Sequence, residues 1–170
     1  MIYTLMYISA IVAANLMVAK FGAGVTIINA FLFIGLDLVA RDALHEKWDG
    51  RNLWRNMALL IAVGSVVSWG LNRDAGQIAL ASFLAFAAAG TVDTIAYHLL
   101  KGKPRLLRMN GSNAPAAAVD SIIFPLLAFG WPPLLGIMAG QFLAKVFGGA
   151  VWSIIINRLT ITGTGDNMER

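Results

Sequence analysis

The sequence contains no cysteine and little charge, since only 13% of its residues are Asp, Glu, Lys or Arg, against about one quarter in an ordinary globular domain. Without cysteine there is no disulfide framework, no thiolate nucleophile and no Cys-based metal site. A Walker loop, a His-Glu-x-x-His motif and a Gly-x-Ser-x-Gly motif are also missing from the sequence. We therefore expect a protein that is not an enzyme and that uses neither a cofactor nor a metal.

Hydrophobic residues make up 58% of the chain, and too few polar residues remain to form the shell of a soluble domain. A helix that crosses a bilayer needs about 20 apolar residues, and six stretches come close: 2–20, 25–45, 53–71, 76–100, 112–130 and 132–157. The fold class predicted is all-α, a polytopic bundle of six transmembrane helices embedded in lipid. Residues 1–158 would form this domain and residues 159–170 a short polar cytoplasmic tail.

Basic residues are concentrated in two of the connecting segments, not in a single stripe, which argues against binding to nucleic acid. The second and fourth connections hold Arg41, Lys47, Arg51 and Arg55, and Lys101, Lys103, Arg105 and Arg108. The first and third connections offer only Lys20 and Arg73. Because basic loops stay in the cytoplasm, an even number of helices predicts that both termini are cytoplasmic.

Polar side chains recur at one depth within the apolar stretches. Three acids lie about seven or eight residues from the expected cytoplasmic helix ends, which places them about 10–12 Å inside the membrane. Lys145 and Asn15 lie near the middle of the sixth and first stretches. The sequence therefore predicts one polar layer, formed by Asn15, Asp37, Asp93, Asp120, Gln141 and Lys145.

Burying these charges is unfavourable, because each Asp or Lys near a helix centre costs on the order of 2.5–3.5 kcal/mol on insertion scales. Two interpretations follow. The charged groups line a binding cavity, or Asp93 and Asp120 pair with Lys145 or Arg41 and serve only to lock the bundle. A ridge of small residues at Gly136, Gly140, Ala144 and Gly148 predicts close packing of the sixth helix against a neighbour.

The pattern resembles the VUT family, the queuosine precursor transporters. The likeness rests on several short segments and single residues: Asn15 to Lys20, Asp37-Leu38-Val39-Ala40-Arg41, Asp93, Ser112, Val119-Asp120-Ser121-Ile122-Ile123-Phe124, and Ala144-Lys145-Val146. The aspartate-serine segment that follows a basic loop, with an intramembrane lysine one helix later, is the most specific element. Arg41-Asp42 stands where many members carry an Asn-Glu pair, so the substrate choice is open.

The resemblance implies import of a 7-deazaguanine, such as 7-cyano-7-deazaguanine, across the bacterial inner membrane by alternating access. Asp120 or Asp93 would accept the N–H groups of the base, and Lys145, Asn15 and Gln141 would donate to it. An aromatic side chain would stack on the ring. The substrate-binding residues expected are Asn15, Asp37, Asp93, Asp120, Ser121, Phe124, Gln141 and Lys145. Oligomeric state is left open, homo-oligomers included.

Two other classes of protein are compatible with the sequence. The first is the substrate-binding component of an energy-coupling-factor vitamin transporter, which would dock on a membrane partner through small residues such as Ala10, Ala13 and Ala14. The second is a pore-forming, holin-like protein, which would need no shared layer of opposite charges. Dependence on a partner separates the first class from a carrier, and tolerance of charge removal separates the second.

Overall fold

A computed structural model describes residues 2–48 and 52–165, without the side chains of 156–165 and of some residues in 38–54 and 105–109. Within these ranges every regular element is helical. The α-helices are α1 (Ile2–Phe21), α2 (Thr26–Asn29), α3 (Gly35–Trp48), α4 (Leu53–Leu71), α5 (Gly76–Leu99), α6 (Arg105–Phe129) and α7 (Leu135–Gly165). A π-helical segment, Ala30–Ile34, joins α2 to α3, and short 3-10 turns, Ala23–Val25 and Arg73–Ala75, precede α2 and α5.

Six apolar helical passages result, because α2, the π-helical segment and α3 form one uninterrupted run. Four of the described helices are long and apolar enough to cross a membrane: Ile2–Phe21, Arg73–Leu99, Asn110–Phe129 and Leu135–Ile155. Two shorter apolar helices, Ala23–Asp37 and Arg55–Leu71, complete the set. The protein is an all-α polytopic membrane bundle, as the hydropathy pattern predicts.

The distribution of side chains is the reverse of that in a soluble protein. Large apolar side chains cover the outside of the bundle, among them Leu5, Ile28, Leu80, Ile122, Leu143, Phe147 and Ile154. Charged and amide side chains lie inside it, among them Asn15, Asn29, Asp37, Arg41, Asp93, Asp120, Gln141 and Lys145. A helix bundle with this arrangement keeps its charged groups away from lipid and presents hydrocarbon to it.

Close packing of α7 against the second passage depends on glycine. A Cβ atom added to Gly148 would lie 2.5 Å from the carbonyl oxygen of Phe31, and one added to Gly35 would lie 2.8 Å from the backbone of Gly148. A Cβ on Gly140 would meet the side chain of Ile27. The ridge predicted on α7 is therefore a packing surface at Gly140 and Gly148, whereas Gly136 has no neighbour within 4 Å.

The described helices differ from the predicted spans in three main respects. The second span is not a regular α-helix throughout, because Ala30–Ile34 form a π-helical segment, in which Phe31 lies against Gly148. Helix α6 starts at Arg105 instead of 112 and passes through Pro115 and Pro125, since Pro104 ends the preceding turn and good helix formers follow it. Helix α7 continues to Gly165, so the helix runs past the expected domain boundary at 158.

Candidate functional site

Lys145 is the centre of the polar layer. Its ammonium nitrogen lies 2.6 Å from Asp120 Oδ2 and donates to Ser121 Oγ at 3.1 Å and to Gln141 Oε1 at 3.2 Å. Gln141 precedes Lys145 by one turn of α7, whereas Asp120 and Ser121 come from α6. Lys145 is only 2% exposed, so the three acceptors replace the water that its charge would otherwise require.

Arg41 and Asp93 form a second ion pair. It lies closer than Asp37 to the end of the bundle at which α3 and α5 end. Arg41 Nη2 is 3.6 Å from Asp93 Oδ1 and donates to Asn113 Oδ1 at 3.0 Å. Arg41 is buried, with 3% of its surface exposed. Its assignment to a cytoplasmic loop was therefore wrong: α3 continues to Trp48, and the guanidinium enters the bundle instead of facing water.

Three hydrogen-bonded side chains connect α1, α4 and α5. Asn15 Nδ2 donates to Ser68 Oγ at 3.1 Å, and Ser82 Oγ donates to Asn15 Oδ1 at 2.5 Å. Ser68 in turn donates to the carbonyl oxygen of Gly64. Both polar ends of the Asn15 amide are thus occupied, which fixes its orientation at the wall of a cavity and favours a structural contribution from this residue.

A central cavity lies between the helices at this level. It encloses about 340 Å³ of space free of atoms, including the part open to the surroundings. The part of it that is wide enough to admit water has room for about one or two water molecules. The lining residues are Ala14, Asn15, Val18, Thr26, Asn29, Ala30, Ile34, Ser82, Phe86, Asp120, Phe124, Gln141 and Lys145. The cavity is therefore narrow and has both polar and aromatic walls.

Three polar atoms of the central cavity's side chains have no hydrogen-bond partner among the described residues. They are Asp120 Oδ1, Asn29 Oδ1 and Gln141 Nε2. The Asn29 amide is held in place because its Nδ2 donates to the carbonyl oxygen of Ala14 at 3.0 Å. The three side chains are buried, and unsatisfied buried polar atoms are unfavourable. The site consequently offers two acceptors and one donor to a ligand.

A narrow cavity adjoins the central cavity and shares with it the side chains of Ile34, Phe86, Asp120 and Lys145. Its remaining lining is Asp37, Arg41, Ala89, Ala116 and Ala117. Asp37 is 1% exposed, and no donor among the described residues reaches either of its carboxylate oxygens. Asp37 therefore differs from Asp93 and Asp120, each of which faces a cation.

A third space, the Tyr7 cavity, lies toward the end of the bundle where α1 begins and α5 ends. It is lined by Tyr7, Arg41, Met57, Ala58, Ile61, Phe83, Phe86, Ala87, Gly90, Thr91 and Thr94. It shares Arg41 and Phe86 with the narrow cavity. The three cavities thus follow one another through the bundle, and Phe86 borders all of them.

The structure separates the eight expected site residues into four groups. Asn15, Asp120, Phe124, Gln141 and Lys145 line the central cavity. Ser121 accepts a hydrogen bond from Lys145 and does not line the central cavity. Asp37 belongs to the narrow cavity, and Asp93 lies with Arg41. The polar layer predicted from sequence is one connected region, but its members occupy different positions in it, and their binding roles stay predictions.

Sequence reasoning missed Asn29 and Phe86, the residues that add an acceptor and an aromatic wall. Asn29 interrupts an apolar run, and an intramembrane amide is a signal that would have identified it. Phe86 carries no such signal, because phenylalanine is common on lipid-facing surfaces. Among the described residues, no group of three His, Asp or Glu side chains could hold a metal ion.

Residues 2–159 match the model of a protein family described as "Putative vitamin uptake transporter". No curated protein and no solved structure matches the chain. The family match covers nearly the whole helical bundle, including all eight expected site residues and all three cavities. It confirms the resemblance found in the sequence, and the chain belongs to the vitamin uptake transporter (VUT) family.

Proposed function

We propose that this protein imports a 7-deazaguanine precursor of queuosine, such as 7-cyano-7-deazaguanine, across the bacterial inner membrane. Membership of a transporter family supports uptake of a small molecule. The substrate class is the one implied by the likeness of the segments around Asp120 and Lys145 to those of queuosine precursor transporters, and the polar and aromatic lining of the central cavity suits a small planar base. The carrier works alone and alternates between openings to the two sides of the membrane.

The unpartnered atoms of the central cavity carry this proposal. A 7-deazaguanine presents adjacent N–H donors on one edge and a carbonyl oxygen beside them. Asp120 Oδ1 and Asn29 Oδ1 can accept from the donors, and Gln141 Nε2 can donate to the carbonyl. Lys145 stays paired with Asp120 and holds its carboxylate in place. This set of two acceptors and one donor suits a guanine-like edge.

The two aromatic walls suit the flat faces of the same ligand. Phe86 and Phe124 both line the central cavity, and aromatic rings stack on nucleobases in a manner that tolerates differences in substituents. The space available is narrower than a bicyclic base requires, so substrate entry must widen the cavity. Helices that separate on binding and close behind the ligand are what alternating access requires.

The alanines on α1 give little support to the alternative in which the chain is the substrate-binding component of a vitamin transporter. Ala10 is 2% exposed and Ala14 is 6% exposed, so neither is available on the surface for docking to a partner, whereas Ala13 is half-buried. The pore-forming alternative is also disfavoured, because two buried pairs of opposite charge, Arg41–Asp93 and Lys145–Asp120, lie inside the bundle.

Uptake of labelled 7-cyano-7-deazaguanine tests the proposal in cells that neither make this base nor have their own importer. We expect saturable uptake with the wild-type chain and at least about a tenfold loss in Asp120→Asn, because the acceptor for the base and for Lys145 loses its negative charge. Asp74→Asn is the matched control, since Asp74 is exposed in the third connection. Membrane levels of all variants are measured in parallel.

Gln141→Glu provides a second variant in case Asp120→Asn is poorly folded. The substitution keeps an oxygen for Lys145 but replaces the donor Nε2 by an acceptor, which would face the carbonyl of the base. We expect a raised KM with normal amounts of protein in the membrane. Absence of uptake by well-expressed wild-type protein would reject the substrate, and a partner-dependent signal would reject the self-sufficient carrier.

A further inference from the structure

We propose that Asp37 is the proton-carrying group of this transporter, and that import of one substrate molecule is coupled to entry of one proton. This inference rests on the proposed function, because it names the coupling ion of the same carrier. Asp37 does not line the central cavity, so it is not a direct ligand there. It lines the narrow cavity, which shares lining residues with both the central cavity and the Tyr7 cavity.

The charges of the polar layer do not balance when every group is ionised. Arg41 faces Asp93 and Lys145 faces Asp120, and each of these pairs is neutral. Asp37 is the remaining carboxyl group, and no donor among the described residues reaches its oxygens. A buried carboxylate without a donor is strongly unfavourable, whereas the protonated acid is neutral. The closed bundle therefore requires a proton on Asp37.

The titratable and charged groups that interact with Asp37 come from four helices, α1, α3, α6 and α7, whereas α5 presents Phe86 and Ala89 to the same cavity. Arg41 and Lys145 would stabilise its charge, whereas Asp120 would oppose it. Tyr7 on α1 interacts electrostatically with Asp37 and with Asp93. The two cations already have carboxylate partners in this state. For Asp37 to lose its proton while it stays buried, a cation would have to leave its own partner.

Lys145 gives the proton a means of controlling the substrate site. The side chains of Lys145 and Asp120 border both the central cavity and the narrow cavity. When Asp37 is protonated, Lys145 holds Asp120 in the position proposed for binding the base. When Asp37 is ionised, it competes with Asp120 for the ammonium group, and the site for the base is disturbed. Substrate and proton therefore favour the same closed state.

The transport cycle then moves one proton with each base. The Asp37 carboxylate takes a proton from the external side while the substrate enters the central cavity, and an O–H bond forms on the carboxyl group. The bundle closes around a neutral layer. After it opens on the other side, through the region of the Tyr7 cavity, the same proton passes from Asp37 to water and the base is released.

Purified protein in proteoliposomes tests the coupling with labelled 7-cyano-7-deazaguanine as the probe. With acid outside, the wild type should accumulate the probe by about tenfold for each pH unit across the membrane. A protonophore should abolish this accumulation. Asp37→Asn should bind the probe and exchange external for internal probe, but should bring it only to equal concentrations. Asp74→Asn, an exposed acid, should behave as the wild type.

Substrate-driven acidification of the vesicle interior tests the same idea in the wild type, without any variant. Addition of external probe should carry protons inward, and a pH-sensitive dye inside the vesicles should record it. Accumulation by Asp37→Asn at the wild-type level, or wild-type uptake without proton entry, would overturn the proposal while leaving the substrate in place. Failure of the wild type to bind the probe would instead reject the proposed substrate and, with it, this coupling.

Discussion

The effect of a buried charged residue on the stability of this protein depends on its ion-pair partner. The buried pair Lys145–Asp120 has a short ion-pair distance and two additional acceptors for the ammonium group, which is the arrangement that makes a buried pair tolerable. Removal of one member leaves the other charge without a partner in a dry environment. Removal of both leaves two neutral side chains, so stability and function should respond differently to single and double substitutions.

We predict that Asp120→Asn and Lys145→Met each lower the stability of the purified protein by about 3–5 kcal/mol, because each leaves an uncompensated buried charge. The double variant should recover most of this loss. Thermal unfolding in detergent provides the comparison, and Lys103→Met serves as a control because Lys103 is exposed. Strictly additive effects of the two substitutions would show that the pair is not coupled.

The sequence was sufficient to find the buried acids and the lysine, since such residues are rare within apolar helices and stand out against them. For Arg41 it left two positions open, a cytoplasmic loop and a buried pair with Asp93 or Asp120, because a charged run from Arg41 to Arg55 is typical of a loop. The structure has the buried pair with Asp93. The hydrogen-bonded Ser68 and Ser82 could not be identified. Serine occurs throughout membrane helices, and only the fold shows which hydroxyl groups meet Asn15.

The bounds of a helix agree closely with the hydropathy pattern where the thickness of the bilayer alone determines the length of the helix. Helices α1 and α4 have the predicted bounds to within one residue, since apolar length is the property that the bilayer selects. The π-helical segment Ala30–Ile34 was not predicted. Phe31 in this segment lies against Gly148 of α7, and a local sequence pattern contains no information about a contact with a residue more than a hundred positions away.

We predict that Gly148→Ala destabilises the bundle by about 1–3 kcal/mol, the usual range for overpacking. The added Cβ would lie 2.5 Å from the Phe31 carbonyl oxygen, so the second passage would have to move. Gly136→Ala is the matched control on the same helix. It has nothing within 4 Å and should be neutral or slightly stabilising, because alanine favours a helix over glycine. Equal unfolding temperatures for the two variants would contradict this packing account.

At the scale of the whole molecule, the arrangement of the cavities depends on contacts between distant parts of the chain. The sequence placed three acids at one depth but left open which acid meets which base. The fold pairs Asp93 with Arg41 and Asp120 with Lys145, and leaves Asp37 in the cavity between them. Pairing of this kind follows from helix order and rotation, which hydropathy does not specify.

The orientation of the bundle decides which cavity opens to which side. Basic residues at the exposed positions Lys47, Arg55, Lys101 and Lys103 predict that this end faces the cytoplasm. Because the chain has no cysteine, single cysteines can report the orientation without a background of other thiols. We expect an impermeant maleimide to label Asp74→Cys and Trp131→Cys in intact cells.

Lys47→Cys and Lys103→Cys should react with the same reagent only after the cells are permeabilised, because their connections would be cytoplasmic. Labelling of Lys103→Cys and Asp74→Cys together in intact cells would contradict the six-passage topology, since one helix, α5, separates them. The expected pattern would place the Tyr7 cavity toward the cytoplasm, the side to which Asp37 must release its proton during import. The opposite pattern would place the Tyr7 cavity toward the outside and would contradict release of the imported proton through that cavity.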